Sequence, residues 1–229
     1  IRSRASVVEC GRGCAALVRR LHAPTALSAA VAFCAFGLLT ACHPSGPAAD
    51  LVILNGAEPE SLDPAVMTGQ ADLRAGGALF EGLTRYNPTN GLPEPGLAAR
   101  WEISPDGRTY LFHLRPEARW STGDPITAED FAWSWLRILA PETGCEYAGI
   151  LFYVKNGEPF HLRQIRDPAG VGIRALDRSR FQVALELPTA FFLDLCALPT
   201  LAAVPRRFIE THGDRWLTAV PLPVSGAYQ

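Results

Sequence analysis

The sequence predicts a mixed α and β fold, and three stretches carry that prediction. From Arg100 to Leu114 two runs of alternating side chains flank Ser104-Pro105-Asp106-Gly107, the residues of a tight turn, so the segment reads as a β-hairpin. After it, Phe131, Trp135, Ile138 and Leu139 recur at helical spacing behind a Thr127 and Asp130 capping pair. Further on, Val171 to Ala175 and Phe181 to Leu187 flank Asp177-Arg178-Ser179 as a second hairpin closed by Pro188.

Taken in order, the chain opens on Ile1 rather than methionine, so the coding start is expected inside or upstream of the sequence. Arg19-Arg20 precede an apolar run from Ala26 to Leu39, and small residues follow it, the pattern of a secretory signal over 1–42. The run is shorter than the roughly 20 residues that span a bilayer, so it reads as an export signal rather than an anchor. Leu39-Thr40-Ala41-Cys42 looks like a bacterial lipoprotein processing site. Cleavage before Cys42 would leave its thiol to carry lipid and tether the protein to a bacterial membrane, at the periplasmic or outer cell surface. The alternative is an ordinary signal peptide in which Cys42 is incidental. Residues 43–50, His43-Pro44-Ser45-Gly46-Pro47-Ala48-Ala49-Asp50, are small, polar and proline-bearing, which suits a flexible tether.

The run Leu51 to Leu54, bounded by Asn55-Gly56, predicts a strand buried on both faces. Ala71 to Phe80 suits a helix, with Gly82 placed to end it. In the first hairpin, Trp101 and Ile103 on one arm and Tyr110, Phe112 and Leu114 on the other share one face and read as core. Pro141 stops the helix that starts after Thr127. Phe191 to Leu198 and Arg206 to His212 follow as short helices, the second ended by Gly213.

The formal net charge is −2, Lys155 is the sole lysine, and no basic stripe appears, so nothing points to nucleic acid. Of the 6 cysteines, Cys10, Cys14 and Cys34 precede the processing site, which leaves Cys145 and Cys196 beside the lipidated Cys42. An exported protein can hold a disulfide, but spacing alone does not decide whether Cys145 and Cys196 meet. No C-x-x-C pair, H-E-x-x-H motif or histidine cluster suggests a metal, and no cofactor motif is present. No nucleophile motif such as G-x-S-x-G occurs, and His113, His161 and His212 have no visible catalytic partner, so the chain does not read as an enzyme. Asp63, Asp106, Asp124, Glu129 and Asp130 sit beside Pro, Gly or a helix start, where carboxylates satisfy free backbone N–H groups. Trp101, Trp120, Trp133 and Trp135 read as core packing ahead of a binding platform.

The blocks LFEGL from Leu79, PGLA from Pro95, WEIS-x-DG from Trp101, Y-x-F-x-LR from Tyr110 and WS-x-G-x-PITAEDF from Trp120 come in one order with SLDP at Ser61, WSW at Trp133 and SGAY at Ser225. In that order they closely resemble the N-terminal part of the extracellular solute-binding proteins that serve oligopeptide and dipeptide ABC importers. The resemblance runs from about Leu51 to Gln229. It implies a periplasmic-binding-protein-like fold of two lobes: 51–80 would open lobe one, 81–204 would form an inserted smaller α/β domain, and 205–229 would return to lobe one. By that mapping the second lobe is expected beyond Gln229. The resemblance further implies a monomer that captures peptide ligands outside the cytoplasmic membrane and delivers them to the permease subunits of an ABC transporter.

It also implies site residues. The loop after SLDP would place Met67, Thr68, Gly69 and Gln70 in the cleft, and Tyr147 would face the ligand. Oligopeptide binders carry an acidic side chain at the position matching Thr68, whereas threonine offers a hydroxyl without charge. The other readings are a plain surface loop for 67–70 and a buried helix-end tyrosine for Tyr147. Within the same family the cargo could instead be a nickel chelate, a heme, an opine or a sugar; an exported enzyme, a sensor on this scaffold, or a fragment with no binding function stand further off.

Overall fold

The computed structural model describes residues 54–227. The signal over 1–42, Cys42, the tether over 43–50, the strand residues Leu51 to Ile53 and the last two residues, Tyr228 and Gln229, lie outside the described residues.

Helix α1 (Gln70–Leu79) follows the SLDP loop. Strands β1 (Thr84–Tyr86) and β2 (Pro93–Pro95) form a small antiparallel pair. Strands β3 (Ala98–Ile103) and β4 (Thr109–Leu114) are the first hairpin, and helix α2 (Ala128–Leu139) comes next. A short helix α3 (Gly157–His161) leads to β5 (Ile173–Ala175) and β6 (Arg180–Ala184), the second hairpin. Helices α4 (Phe192–Leu195) and α5 (Arg206–His212) complete the set. The hairpins join into one antiparallel sheet of order β3-β4-β6-β5.

The period-two pattern decides which face of that sheet is core. Across it, Trp101, Phe112, Phe181 and Ala175 stand in one row, and Ile103, Tyr110, Val183 and Ile173 in the next. On the central strands Tyr110, Phe112, Phe181 and Val183 are buried, and α2 lies over β5 and β6 with the rings of Phe131 and Trp135 against Phe181. Trp135 meets Phe181 edge-on at 5.1 Å between ring centroids, and its indole N–H donates to the Leu201 carbonyl at 2.8 Å. Trp135 is therefore both packing and polar closure. On the edge strand β3 the same row is left open: Ile103 is exposed and Trp101 only half-buried. Reading both as core counted the pleat correctly but not the edge, where α2 no longer covers the face.

The motif blocks are points where separate segments touch. The Ser225 hydroxyl accepts the Glu81 N–H at 3.0 Å, while the N–H groups of Ser225 and Gly226 donate to the Leu79 carbonyl. These bonds occupy backbone groups left free where α1 ends. Gly82 and Gly96 cross at backbone contact: a Cβ on Gly96 would stand 2.7 Å from the Gly82 carbonyl oxygen. Neither position has room for a side chain. The helix α1 ends at Phe80, which is extended and returns its N–H to the Gly76 carbonyl. Gly82 is thus a packing glycine and not the cap.

Two further expectations change, and the open question of the cysteine pair is answered. Leu54, the one described residue of the predicted first strand, is outside any strand and exposed. The helix expected over Phe191 to Leu198 is a single turn, followed by a 3-10 turn at Pro199–Leu201. Cys145 and Cys196 are free and buried thiols, not a disulfide. Burial pushes both thiols upward in pKa, so each behaves as a small core side chain.

Candidate functional site

The stretch from Ser61 to Gln70 is folded by its own carboxylates. Ser61 accepts the Asp63 N–H through its hydroxyl at 3.0 Å, and the Asp63 carboxylate accepts the Ala65 N–H at 3.0 Å. The Asp63 carbonyl then takes the N–H groups of Val66 and Met67, which makes a compact turn at SLDP. Asp63 is buried, and the Arg137 guanidinium of α2 grips it with two hydrogen bonds, Nη1 to Oδ1 at 2.9 Å and Nη2 to Oδ2. Arg137 in turn lies over the Trp133 ring at 5.9 Å. The structural role expected for Asp63 holds, and the ion pair extends it.

Met67 does not line a cleft. It is fully buried, and it packs where Gly76 leaves space on α1: a Cβ at Gly76 would come within 2.3 Å of the Met67 sulfur. Expecting its side chain to face a ligand is corrected accordingly; Met67 anchors the loop from below. Thr68 is half-buried, and Gly69 and Gln70 are exposed.

Asp72 is the second organising carboxylate. It occupies the first turn of α1 and is buried, and it accepts the Glu60 N–H at 2.9 Å, the Gly69 N–H at 3.1 Å and the Thr68 N–H at 3.3 Å. These N–H groups, that of Glu60 foremost, hold the carboxyl below its ordinary pKa. With its N–H groups directed inward, the loop presents the Thr68 carbonyl outward. The Tyr147 phenol, 79 residues away in sequence, donates to that carbonyl at 3.3 Å. Tyr147 is 42% exposed, so the reading of a buried helix-end tyrosine does not fit.

Beside the loop lies a cleft of about 420 Å³ lined by Asn55, Glu58, Glu60, Thr68, Gly69 and Gln70, among others. Asn55 donates to the Ala71 carbonyl at 3.0 Å, and its buried Oδ1 has no partner among the described residues. Arg74 donates to the Gln70 side chain at 3.2 Å across one helical turn. What this cleft offers a ligand is a threonine hydroxyl, a glutamine amide and main-chain groups, with the exposed charges of Glu58, Glu60 and Arg74 at its wall, while the Tyr147 phenol stands on the Thr68 carbonyl next to it. No cluster of three His, Cys, Asp or Glu able to hold a metal occurs among the described residues.

The remaining carboxylates singled out in the sequence are mostly caps. Asp130 accepts the Thr127 N–H at 2.8 Å while the Thr127 hydroxyl accepts the Asp130 N–H, a reciprocal box at the start of α2. Asp106 accepts the Arg108 N–H in the hairpin turn, Asp124 takes the Thr122 hydroxyl, and Glu129 is exposed in the first turn of α2. Trp120 and Trp135 are core; Trp133 is half-buried beneath Arg137. Asn55, Asp72 and Arg137 escaped sequence reasoning. The signal for Asp72 was present, a carboxylate three residues past Gly69 at a helix start; nothing local in the sequence pairs Arg137 with Asp63.

Comparison with known proteins adds to this geometry. Residues 93–229 match the model of the bacterial extracellular solute-binding proteins, family 5. The periplasmic oligopeptide-binding protein OppA of Salmonella typhimurium is 37% identical over 180 residues, which are 78% of this chain and 33% of OppA. A probable deoxycholate-binding periplasmic protein, YgiS of Escherichia coli, is 35% identical over 175 residues, 76% of this chain and 32% of that protein. Among solved structures, Haemophilus influenzae OppA in complex with the peptide RPPGFSPFR superposes with a TM-score of 0.68 at 36% identity, covering 71% of this chain and 32% of that one. The chain spans about a third of the length of the curated relatives it matches.

Proposed function

The chain belongs to the family 5 bacterial extracellular solute-binding proteins, and from that premise we propose that it serves peptide import. In this reading it captures oligopeptides or dipeptides outside the cytoplasmic membrane and presents them to the permease of an ABC transporter, without chemistry on the ligand. It acts as a monomer, exported and held to a bacterial membrane by lipid on Cys42. Residues 51–80 and 205–229 contribute to one lobe and 81–204 to a smaller inserted domain.

The observation that carries the reading is the meeting of Tyr147 with the Thr68 carbonyl beside the cleft. A peptide backbone is recognised by main-chain donors and acceptors in register with its own, which gives affinity with little side-chain selectivity. Thr68 supplies its carbonyl and hydroxyl and Gln70 its side-chain amide, and Tyr147 supplies a phenol that stacks and hydrogen-bonds. Thr68 brings no charge to pair with a peptide terminus. Together with the likeness to a probable deoxycholate-binding protein, that supports a second reading, in which the cargo is a bile-acid-like amphiphile.

Thermal shift separates the two readings. A ligand at 100 times its Kd stabilises a protein by about 2.7 kcal/mol, which at roughly 2–4 °C per kcal/mol raises the melting temperature by about 5–11 °C. Pools of di- to pentapeptides are expected to give that shift, and deoxycholate none. A shift with deoxycholate and none with peptides selects the second reading; no shift with either, measured on the protein carrying both lobes, counts against both.

A further inference from the structure

We infer that Asp72 is a positioning residue that holds the two walls of the cleft in register, an inference that rests on the binding reading above. A helix-capping carboxylate needs only the N–H groups of its own first turn. Asp72 does more: Oδ2 takes the Gly69 and Thr68 N–H groups, while Oδ1 takes the Glu60 N–H, from a segment 12 residues earlier that precedes the SLDP turn. Glu60 and the Thr68–Gln70 segment both line the cleft of about 420 Å³, and this buried carboxylate bonds to both.

The consequence for recognition concerns direction. With the N–H groups of Thr68 and Gly69 committed inward to Asp72, and the Gly69 carbonyl committed to the Leu73 N–H of α1, the outward groups are the Thr68 carbonyl, the Thr68 hydroxyl and the Gln70 side chain. Asp72, which reaches the cleft wall but is buried with its oxygens turned to these N–H groups, therefore sets which main-chain groups of the loop a ligand meets. Bonds to a buried anion are stronger than neutral ones, so the loop is preorganised before any ligand arrives.

Asp72→Asn tests this, because the side chain keeps its shape but its amide nitrogen cannot accept, so some of the three N–H groups lose their partner. Asp130→Asn is the control: it removes the same kind of capping carboxylate from α2, where its partners are Thr127 groups and not the loop. In the full 229-residue chain, hydrogen exchange at the Glu60, Thr68 and Gly69 amides is compared with exchange at Phe112 and Val183 in the central strands. Affinity for tri- and tetra-alanine is measured by calorimetry in parallel. Asp72→Asn is expected to speed exchange at the three loop amides by about tenfold or more, to leave the strand amides unchanged, and to weaken peptide binding about tenfold. Asp130→Asn is expected to leave both unchanged even where it lowers the melting temperature. Unchanged exchange at Glu60, or an affinity loss no larger than that of Asp130→Asn, overturns the inference. If the wild-type chain binds neither peptide, the loop exchange alone decides whether Asp72 positions the loop, and the transport reading is tested separately on the protein carrying both lobes.

Discussion

Breaking the Asp63–Arg137 pair is expected to cost more than any other single surface-facing change on α2. Asp63 is 4% exposed, so substituting Arg137 by Met leaves a carboxylate buried without its counter-charge. Breaking one side of a buried pair costs about 3–5 kcal/mol; the Arg137 side chain keeps 20% exposure, which places this case near the lower end, about 3 kcal/mol. At roughly 2–4 °C per kcal/mol, the melting temperature of Arg137→Met should fall by about 6–12 °C. Asp63→Asn is milder, because an amide oxygen still accepts the Ala65 N–H and the freed guanidinium can reach water. The double variant removes both charges and should recover about 2 kcal/mol relative to the sum of the two singles, since partners in direct contact are not additive. Urea unfolding followed by tryptophan fluorescence measures all three, with Trp133 and Trp135 on the same helix as reporters. An Arg137→Met variant within about 1 kcal/mol of wild type, or a double variant equal to the sum of the singles, would refute the claim that this pair holds the SLDP turn to α2.

Other consequences follow from the same reading. Trp135→Phe leaves the buried Leu201 carbonyl without its donor and a smaller ring in the core, and is expected to cost about 2–3 kcal/mol in urea unfolding with an unchanged m value. Cys145 and Cys196 should resist alkylation at pH 8 in the native protein and react fully in denaturant, as mapped by peptide mass spectrometry, because burial suppresses the thiolate; rapid native labelling of Cys196 would contradict the packing. Acid should destabilise the fold below about pH 4. Asp72, Glu94, Glu102, Asp106 and Asp177 are held below their ordinary pKa values, led respectively by the Glu60 N–H, Asn87, Arg100, Ser104 and Arg180. The unfolded chain then binds more protons than the folded one, and stability is lost as pH falls through that range. Burial raises Glu81 and Asp130 instead, so those two oppose the trend at higher pH; a urea midpoint that stays flat from pH 5 to pH 3 would count against the assignment.

The elements that were legible in the sequence are those whose stabilising pattern is local. Thr127 and Asp130 announce α2 because the box closes within three residues, and Pro141 lies just beyond its end. The hairpins are legible because turn residues and alternation lie within a dozen positions of each other. Ile103 shows where this stops: its alternation is right and its burial is wrong, since whether a row of side chains is covered depends on how far α2 extends over the sheet. Gly82 illustrates the same limit. At a helix end a glycine invites reading as a cap, but its reason is the backbone of Cys196 and Thr84 passing against it, a contact that no spacing rule encodes.

The site divides along the same line. Thr68, Gly69, Gln70 and Tyr147 entered through resemblance alone, and the structure brings Tyr147 to the Thr68 carbonyl. Yet what holds Thr68 in place is Met67, which resemblance named as a ligand contact and which instead packs beneath the loop, together with residues it did not name: Gly76 making room for Met67, Asp72 gathering the Thr68 N–H, and Asp63 tied to Arg137. A loop with free N–H and carbonyl groups would sample many arrangements, and a ligand would have to select one at an entropic cost. Here Asp72 of α1 and Arg137 of α2, with Asp63 and Met67 of the loop itself, fix the loop first. The residues that would meet a ligand are consequently the least constrained chemically, since a threonine hydroxyl and main-chain groups can serve many cargoes. Those that hold the loop are the most constrained, because each replaces a solvent bond in a buried place. Change at Thr68 or Gln70 is accordingly expected to alter which ligand binds, and change at Asp63, Asp72 or Arg137 to alter whether the loop exists in one form at all.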